Sequence, residues 1–371
     1  MKKINIIFFV GISLCIFAYG FSVGQFDVFP SQTISDVKDF LIDSKYKSIN
    51  DFNYSIIDFE SLISIENEDN LYEKRNNLIN YIWKSNTIPN NSDILIEKNI
   101  VDSRYKNLKN LESISKITIE MDFEVNSISY LFKSKNSNGE LVIYHQGHRG
   151  DFIHGKNIIE QLLNDGYSVL AFSMPLMGLN NQPIVNTENF GPILLNSHNK
   201  LQFLETNDFS PIKFFVEPIF VSLNYIDKQY DFTKYHFIGI SGGGWTAIIY
   251  STIDERISNT FSIAGTLPIS LRTETKDFGD YEQTNPRLYS IVNYLEMYVI
   301  SSYGENRKTT LIFNKFDPCC FDGTSPLLFL EPVQTTLKQL EKGDFDILID
   351  DTTDKHEISD NTFDQILKLM K

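Results

Sequence analysis

The stretch Gly239-Ile240-Ser241-Gly242-Gly243-Gly244 decides the fold predicted for this 371-residue chain. It follows an apolar run, residues 236–240, and precedes a stretch with helical spacing, residues 243–253. The pattern G-x-S-x-G between a strand and a helix is typical of a sharp turn that lifts a serine hydroxyl above a sheet. Glycines are needed on either side of the serine because side chains there would collide with the strand or the helix. We therefore predict that Ser241 is a nucleophile, rather than part of an ordinary glycine-rich turn or a phosphate loop, which would require a lysine.

Apolar runs and helical patterns alternate on both sides of this turn. The run 141–144 is continuously apolar, as expected for a strand buried on both faces. The alternation predicts an α/β fold with a mostly parallel central sheet and helices on both faces. Before it, residues 117–123 and 127–133 alternate between apolar and polar, which predicts a hairpin. The remaining predicted strands are 167–172, 236–240, 260–264, 310–313 and 345–349, and the predicted helices are 157–164, 211–225, 243–253, 334–340 and 359–369.

Three stretches do not fit this alternation. Residues 25–115 are polar and rich in Asn and Lys, with helical spacing in 70–83. They predict a helical N-terminal appendage to a main domain that spans residues 116–371. Residues 175–210 are irregular, and residues 268–307 combine a charged loop with an aromatic helix. Insertions of this length in a domain usually form lids or binding loops, so we predict a lid-like insertion at 268–307.

The N-terminus has the pattern of an export signal. Lys2 and Lys3 precede a run without charge, residues 4–21. Small residues near its end, Ala18 and Gly20, favour cleavage over retention as a membrane anchor. In either case the lysines would stay in the cytoplasm and the rest of the chain would face outward. We predict an exported protein, periplasmic or extracellular, in which residues 1–24 are a signal peptide or an N-terminal anchor.

Composition excludes several classes of protein. Apolar residues make up 42% of the chain and charged residues 22%, which excludes a disordered, a collagen-like and a polytopic membrane protein. The net charge of -15 disfavours nucleic acid and anionic lipid as partners. Three cysteines do not make a disulfide framework. Cys319 and Cys320 are adjacent, and they are either free thiols or a strained vicinal disulfide.

Chain order predicts the partners of Ser241. After this kind of turn, an acid and then a histidine follow the serine. Of six histidines only His356 lies beyond Ser241, between the last predicted strand and the last predicted helix. Asp317 lies a few residues past a predicted strand, with Asp322 as the alternative and Asp280 as a more distant one. We predict a triad of Ser241, Asp317 and His356, in which the carboxylate holds the imidazole tautomer.

The loop after the strand 141–144 is the second part of the predicted site. Residues 145–150 have the sequence His-Gln-Gly-His-Arg-Gly. We predict that Gly147 occupies a tight turn, and that the backbone N–H groups of Gly242 and His148 form an oxyanion hole.

The histidines near this loop raise the question of a metal site. His145, His148 and His154 are close in sequence, but neither cysteine nor carboxylate stands at ligand spacing. The sequence therefore predicts neither a bound metal ion nor any other cofactor.

The loop 145–148, the Ser241 turn, Asp317 and His356 together resemble the α/β-hydrolase superfamily, over roughly residues 116–371. Stretches such as residues 144–151 and 314–321 resemble an uncharacterised bacterial branch of this superfamily. The resemblance implies an α/β-hydrolase fold and a serine hydrolase of esterase or peptidase type.

Three functions are consistent with these features. The first is an exported hydrolase that cleaves a small-molecule carboxylic ester through an acyl-serine intermediate. The second is a peptidase of the prolyl-oligopeptidase type, although the N-terminal region is too short for the propeller that gates such enzymes. The third is a non-catalytic hydrolase-fold module that binds a ligand. Such a module is expected to have lost a triad residue, whereas all three triad positions are filled here.

Overall fold

A computed structural model describes residues 54–88 and 94–371. The predicted signal peptide or anchor, residues 1–24, lies outside these ranges. Contacts between Cα atoms divide the chain after Tyr54, so that all described residues except Tyr54 belong to the unit Ser55–Lys371. Within the described ranges, no helix has both the length and the apolar character needed to cross a bilayer.

The described residues contain one large sheet and one small one. The strands are β1 (Ile94–Glu97), β2 (Leu111–Glu120), β3 (Asn126–Ser134), β4 (Glu140–His145), β5 (Ser168–Phe172), β6 (Ile184–Thr187), β7 (Gly191–Leu194), β8 (Lys234–Ile240), β9 (Ile257–Ile263), β10 (Lys308–Asn314) and β11 (Asp344–Asp350). In the large sheet the order is β1-β2-β3-β5-β4-β8-β9-β10-β11, and β6 pairs with β7. The strands from β5 to β11 in that order are parallel, whereas β1, β2 and β3 pair antiparallel. The predicted, mostly parallel sheet is confirmed.

Helices surround this sheet. They are α1 (Glu68–Trp83), α2 (Lys156–Asn164), α3 (Lys213–Gln229), α4 (Gly242–Ile253), α5 (Tyr281–Thr284), α6 (Pro286–Ile291), α7 (Tyr294–Ser302), α8 (Leu330–Gln339) and α9 (Asp360–Met370). Val142 and Tyr144 of β4 share one apolar cluster with side chains of α2 and α9. Leu141 and Ile143 point to the opposite face because side chains alternate along a strand, and they are also fully buried. Both faces of the central strands are therefore covered.

The sheet begins earlier in the chain than the sequence predicted. β1 and the first half of β2 lie within residues 25–115, the stretch predicted as a helical appendage. β1 has four residues and pairs antiparallel with β2 at the edge of the sheet. A strand this short gives too few alternations for a periodic pattern to be recognised. The helix predicted at 70–83 is present as α1.

The aromatic helix α7 of the predicted insertion, residues 268–307, is buried. Every residue of α7 is buried, including Tyr298, whose side chain is fully enclosed. A helix that is buried on all sides belongs to the interior of a protein. Tyr294 is also buried, and its hydroxyl donates to a backbone carbonyl. The aromatic residues of α7 are therefore core packing.

The sheet brings the loops of the predicted site to one edge. β4 and β8 are parallel neighbours, and His145 lies opposite Gly239. The loop after β4 and the turn at Ser241 therefore leave the sheet side by side. Asp317 follows β10 and His356 follows β11, and these two strands are also parallel neighbours. Ligand sites in open α/β sheets lie at this carboxyl edge of the strands.

Candidate active site

Ser241 occupies a strained turn between β8 and α4. Its backbone dihedrals are φ 55° and ψ -130°, a conformation that residues other than glycine rarely adopt. Its N–H donates to the Ile263 carbonyl at 2.8 Å, which fixes the turn to β9. A Cβ atom at Gly239 would lie 2.1 Å from the Gly243 carbonyl oxygen, and one at Gly243 would lie 2.2 Å from the His145 carbonyl oxygen. The neighbouring glycines are therefore required by close backbone contacts, and strain of this kind is concentrated at functional sites.

The structure pairs His356 with one of the three candidate carboxylates. His356 Nδ1 lies 2.7 Å from Asp317 Oδ2. Asp317 is buried, and its Oδ1 accepts the backbone N–H of Cys319 at 2.8 Å. Asp322 instead lies 3.2 Å from the Lys276 ammonium group. Asp317 is therefore the carboxylate that orients His356.

The other ring nitrogen of His356 is available for proton transfer. His356 Nε2 is buried and has no hydrogen-bond partner among residues 54–88 and 94–371. Burial by itself lowers the pKa of His356, but the hydrogen bond to Asp317 and the negative charge of Cys319 raise it above its ordinary value. Because Nδ1 is held by Asp317, a neutral His356 carries its free lone pair on Nε2.

The loop after β4 packs directly against the Ser241 turn. A Cβ atom at Gly147 would lie 2.5 Å from Ser241 Cβ and 2.7 Å from the Ile240 carbonyl oxygen, so only glycine fits there. Gly242 opens α4, and the first N–H of a helix has no partner within the helix. A Cβ atom at Gly242 would lie 2.5 Å from His148 Cε1. The ring of His148 therefore lies against Gly242, the residue after Ser241.

Two buried side chains, Tyr144 and Gln146, support this loop. The Tyr144 hydroxyl donates to Gln146 Oε1 at 2.5 Å, and the Gln146 N–H donates to the Phe172 carbonyl at 2.9 Å. No sequence pattern indicates the Tyr144–Gln146 contact, because it depends on the path of the loop.

The side chain of His148 belongs to a polar cluster. Its Nε2 lies 3.1 Å from Asp280 Oδ2, 3.2 Å from Glu282 Oε1 and 3.1 Å from His198 Nδ1. His198 and Glu282 are fully buried, and one ligand atom from each of the four groups lies within 4.8 Å of all the others. Burial alone would lower the pKa of His148, but the hydrogen bonds to Asp280 and Glu282 raise it to about 10.

This cluster contains only one of the three histidines considered for a metal site in the sequence. His145 Nδ1 lies 2.9 Å from the Gln146 carbonyl oxygen, and His154 is exposed, so the three loop histidines do not converge. The partners of His148 come from 50 and 134 residues further along the chain. No local spacing rule detects ligands that are so far apart in sequence, and carboxylates do meet a histidine here.

Two thiols lie beside the acid of the predicted triad. Cys319 Sγ and Cys320 Sγ are 2.9 Å apart, longer than a disulfide bond of about 2.05 Å, and both are free thiols. The hydrogen bond from Cys320 and the charge of His356 lower the pKa of the exposed Cys319 to about 6. The same contact and burial raise the pKa of Cys320.

An open groove begins at the same loop. Its volume is about 590 Å³. It is lined by His148, Arg149, Gly150, Leu176, Met177, Gly178, Asn180 and Gln182. Because His148 lines the groove and its ring also lies against Gly242, the groove adjoins the Ser241 turn.

Solved structures of three esterases resemble the chain. Acetyl xylan esterase 1 from Thermoanaerobacterium sp. JW/SL YS485 is 13% identical, with a TM-score of 0.55 over 86% of this chain and 98% of that one. An acetyl xylan esterase from Paenibacillus sp. R4 is 14% identical, with a TM-score of 0.53 over 86% and 99%. A glucuronoyl esterase from Solibacter usitatus is 12% identical, with a TM-score of 0.54 over 81% and 91%. No protein-family model matches the chain, and no curated protein is similar to it in sequence. The structural likeness shows that the chain has the α/β-hydrolase fold, as predicted.

Proposed function

We propose that the protein is a serine hydrolase that cleaves carboxylic esters through an acyl-serine intermediate. Ser241 is the nucleophile, His356 the general base and Asp317 the acid that orients the base. The observation that carries this proposal is the 2.7 Å contact from His356 Nδ1 to the buried Asp317. It leaves Nε2 of a neutral imidazole without a partner at the edge of the sheet where Ser241 emerges.

The chemistry follows from these positions. His356 Nε2 takes the hydroxyl proton as Ser241 Oγ attacks the ester carbonyl. The oxyanion of the tetrahedral intermediate is stabilised by the backbone N–H groups of Gly242 and His148. Collapse of the intermediate expels the alcohol, which receives the proton from His356, and leaves Ser241 acylated. Water, deprotonated by His356, then attacks the acyl group, and a second collapse releases the acid and restores the serine.

The polar lining of the groove beside His148 supports a substrate that is an ester of a polar alcohol. Arg149, Asn180 and Gln182 give the groove this lining along an open surface. The structural neighbours named above are esterases of acetylated xylan or of glucuronoyl groups, which supports a small-molecule ester and an acylated sugar as the class to test first.

Residues 1–24 support export of the enzyme. We expect protein expressed from the full gene to be recovered outside the cytoplasm and to be about 24 residues shorter than the encoded chain. Mass spectrometry of the intact protein from each cell fraction measures this. A full-length chain in the membrane fraction would indicate a retained anchor, and a full-length chain in the cytoplasm would contradict export.

Labelling with a fluorophosphonate probe tests the catalytic proposal. We expect the wild-type protein to be labelled on Ser241 and to hydrolyse p-nitrophenyl acetate. Ser241→Ala is expected to lose the label and several orders of magnitude in kcat. Ser290→Ala is the matched control, because Ser290 is exposed and its hydroxyl donates to the neighbouring Arg287 carbonyl.

Three outcomes separate the alternatives. A labelled protein that cleaves peptides but not esters is a peptidase. A folded protein that takes no label and cleaves neither is a binding module. A Ser241→Ala variant that keeps more than about a tenth of the wild-type rate shows that Ser241 is not the nucleophile.

A further inference from the structure

The polar cluster of His148, His198, Asp280 and Glu282 has the spacing of a metal site. Four of the distances between its ligand atoms are 3.0, 3.1, 3.1 and 3.2 Å, and the His198–Asp280 distance is 3.9 Å. Zinc bonds to nitrogen and oxygen of about 2.0–2.1 Å place tetrahedral ligand atoms about 3.4 Å apart. Four of these distances are within about 0.4 Å of that spacing, as expected for side chains that share one zinc ion.

The tautomer of His198 favours binding of a cation between the four side chains. His198 Nε2 lies 2.9 Å from the Pro175 carbonyl oxygen, which only accepts hydrogen bonds, so Nε2 carries a proton. In a neutral His198 the Nδ1 lone pair then faces Glu282 Oε1 at 3.0 Å and His148 Nε2 at 3.1 Å. A ligand histidine whose second ring N–H donates to a backbone carbonyl is typical of metal sites in proteins.

One carboxylate of the cluster is only partly satisfied by the protein. Glu282 is completely buried, and its Oε2 has no hydrogen-bond partner within the described part of the chain. A divalent cation accepts a lone pair from each of the four groups at once and neutralises both carboxylates.

We propose that His148, His198, Asp280 and Glu282 bind one zinc ion, with all four positions filled by the protein. Two imidazole nitrogens and two carboxylate oxygens at tetrahedral spacing suit zinc, whereas magnesium and calcium require six or more oxygen ligands. A closed site of this kind is structural. The proposal replaces the sequence-based prediction that the chain binds no metal.

The site joins three segments that are far apart in sequence. His148 lies in the loop after β4, His198 in the irregular stretch 175–210, and the two carboxylates in the insertion 268–307. The ring of His148 lies against Gly242, beside Ser241. The zinc ion therefore holds the loop after β4, whose N–H group at His148 contributes to the proposed oxyanion hole. This consequence rests on the proposed function, whereas zinc binding is independent of it.

Metal analysis of the full, untagged chain tests the site. We expect elemental mass spectrometry to find about one zinc ion per chain. Dipicolinate is expected to remove that zinc and to lower the Tm of the protein. Added zinc, but not added magnesium, is expected to restore the metal content and the Tm. X-ray absorption at the zinc edge is expected to show nitrogen and oxygen ligands alone. Sulfur ligands at about 2.3 Å would instead place the metal at the second group, Asp317, Cys319, Cys320 and His356, and would overturn the proposal.

Matched variants locate the site without relying on activity. Asp280→Asn removes one carboxylate, and Asp280 is 35% exposed, so the chain is expected to fold and to bind zinc at least about ten-fold more weakly. Asp322→Asn is the control, because Asp322 is 39% exposed and lies outside the cluster. Equal zinc affinity in the two variants, or no zinc-dependent rise in the Tm of the metal-free wild type, would overturn the proposal. Esterase activity is measured separately, so that a zinc protein without activity contradicts only the proposed function.

Discussion

The hydrogen bond between His356 and Asp317 distinguishes one carboxylate from its two competitors. Asp322 is paired with Lys276, and Asp280 lies in the cluster with His148. Asp317 is buried and accepts backbone N–H groups on its second oxygen, so its position is fixed. A carboxylate held in this way sets the histidine tautomer and stabilises the imidazolium that forms during the reaction.

Replacing the two competing aspartates separates their roles. Asp317→Asn is expected to lower kcat by about 10³–10⁴, because an amide N–H facing Nδ1 favours the wrong tautomer of His356. Asp322→Asn removes an exposed carboxylate and is expected to change kcat less than two-fold. Initial rates on p-nitrophenyl acetate, with circular dichroism to verify folding, measure both. The reverse order would assign the acid to Asp322.

The raised pKa of His356 predicts the pH dependence of the enzyme. The base works only when it is neutral, so kcat/KM is expected to rise with pH through a midpoint above the ordinary histidine value of about 6.5. The negative charge of Cys319 is one cause of the raised pKa. Cys319→Ser is therefore expected to move the midpoint to lower pH. A midpoint that is unchanged or higher in this variant would show that the Cys319 thiolate does not act on His356.

The two neighbouring thiols are expected to differ in reactivity. Cys319 is exposed and its pKa is about 6, so it is mostly thiolate at pH 7, whereas Cys320 is buried with a raised pKa. Iodoacetamide on the native, freshly purified protein is expected to add one carbamidomethyl group, at Cys319. Two groups, or one at Cys320, would contradict the assignment. No group before dithiothreitol and two after it, under denaturing conditions, would identify a vicinal disulfide.

At the scale of elements, sequence periodicity predicted the parallel strands of the central sheet. It did not predict features that depend on which elements lie next to each other in space. β4 and β8 each contain an apolar run because both of their faces are covered, and such runs are visible in sequence. β1 has four residues, too few for a pattern. The burial of α7 could not be predicted from its sequence, because it depends on the elements that pack around the helix. The partners of His148 come from distant loops, and no spacing rule connects them.

The loop after β4 gives a prediction at this scale. Gly147→Ala places a methyl group 2.5 Å from Ser241 Cβ, so either the loop or the turn must move. We expect kcat to fall by at least about 10², since small displacements of catalytic groups have effects of this size. Gly150→Ala is the control in the same loop, because no atom lies within 4 Å of the added Cβ and only its φ of 103° is strained. A similar loss in both variants would show that general loop strain, not contact with Ser241, is responsible.

At the scale of the whole described unit, polar contacts join α1 to the core. Arg75 donates twice to the Ile253 carbonyl, at the end of the helix that Ser241 opens. Lys74 forms a 3.0 Å ion pair with the buried Glu296 of α7. Trp83 packs at the other end of α1. These contacts connect the N-terminal helix to the elements that carry the site, and composition alone does not reveal them.

The contact between α1 and α3 is expected to contribute to stability without affecting chemistry. Trp83 Nε1 donates to Glu217 Oε2 at 2.7 Å in a buried environment. Trp83→Phe keeps an aromatic ring but loses this donor, and hydrogen bonds to charged groups contribute about 1.5–3 kcal/mol. We expect the free energy of unfolding in urea to fall by about that amount, with kcat unchanged. Tyr72→Phe, on a partly exposed face of α1, is the control and is expected to change it by less than about 0.5 kcal/mol. Equal effects of the two substitutions would show that the buried bond to Glu217 does not hold α1 in place.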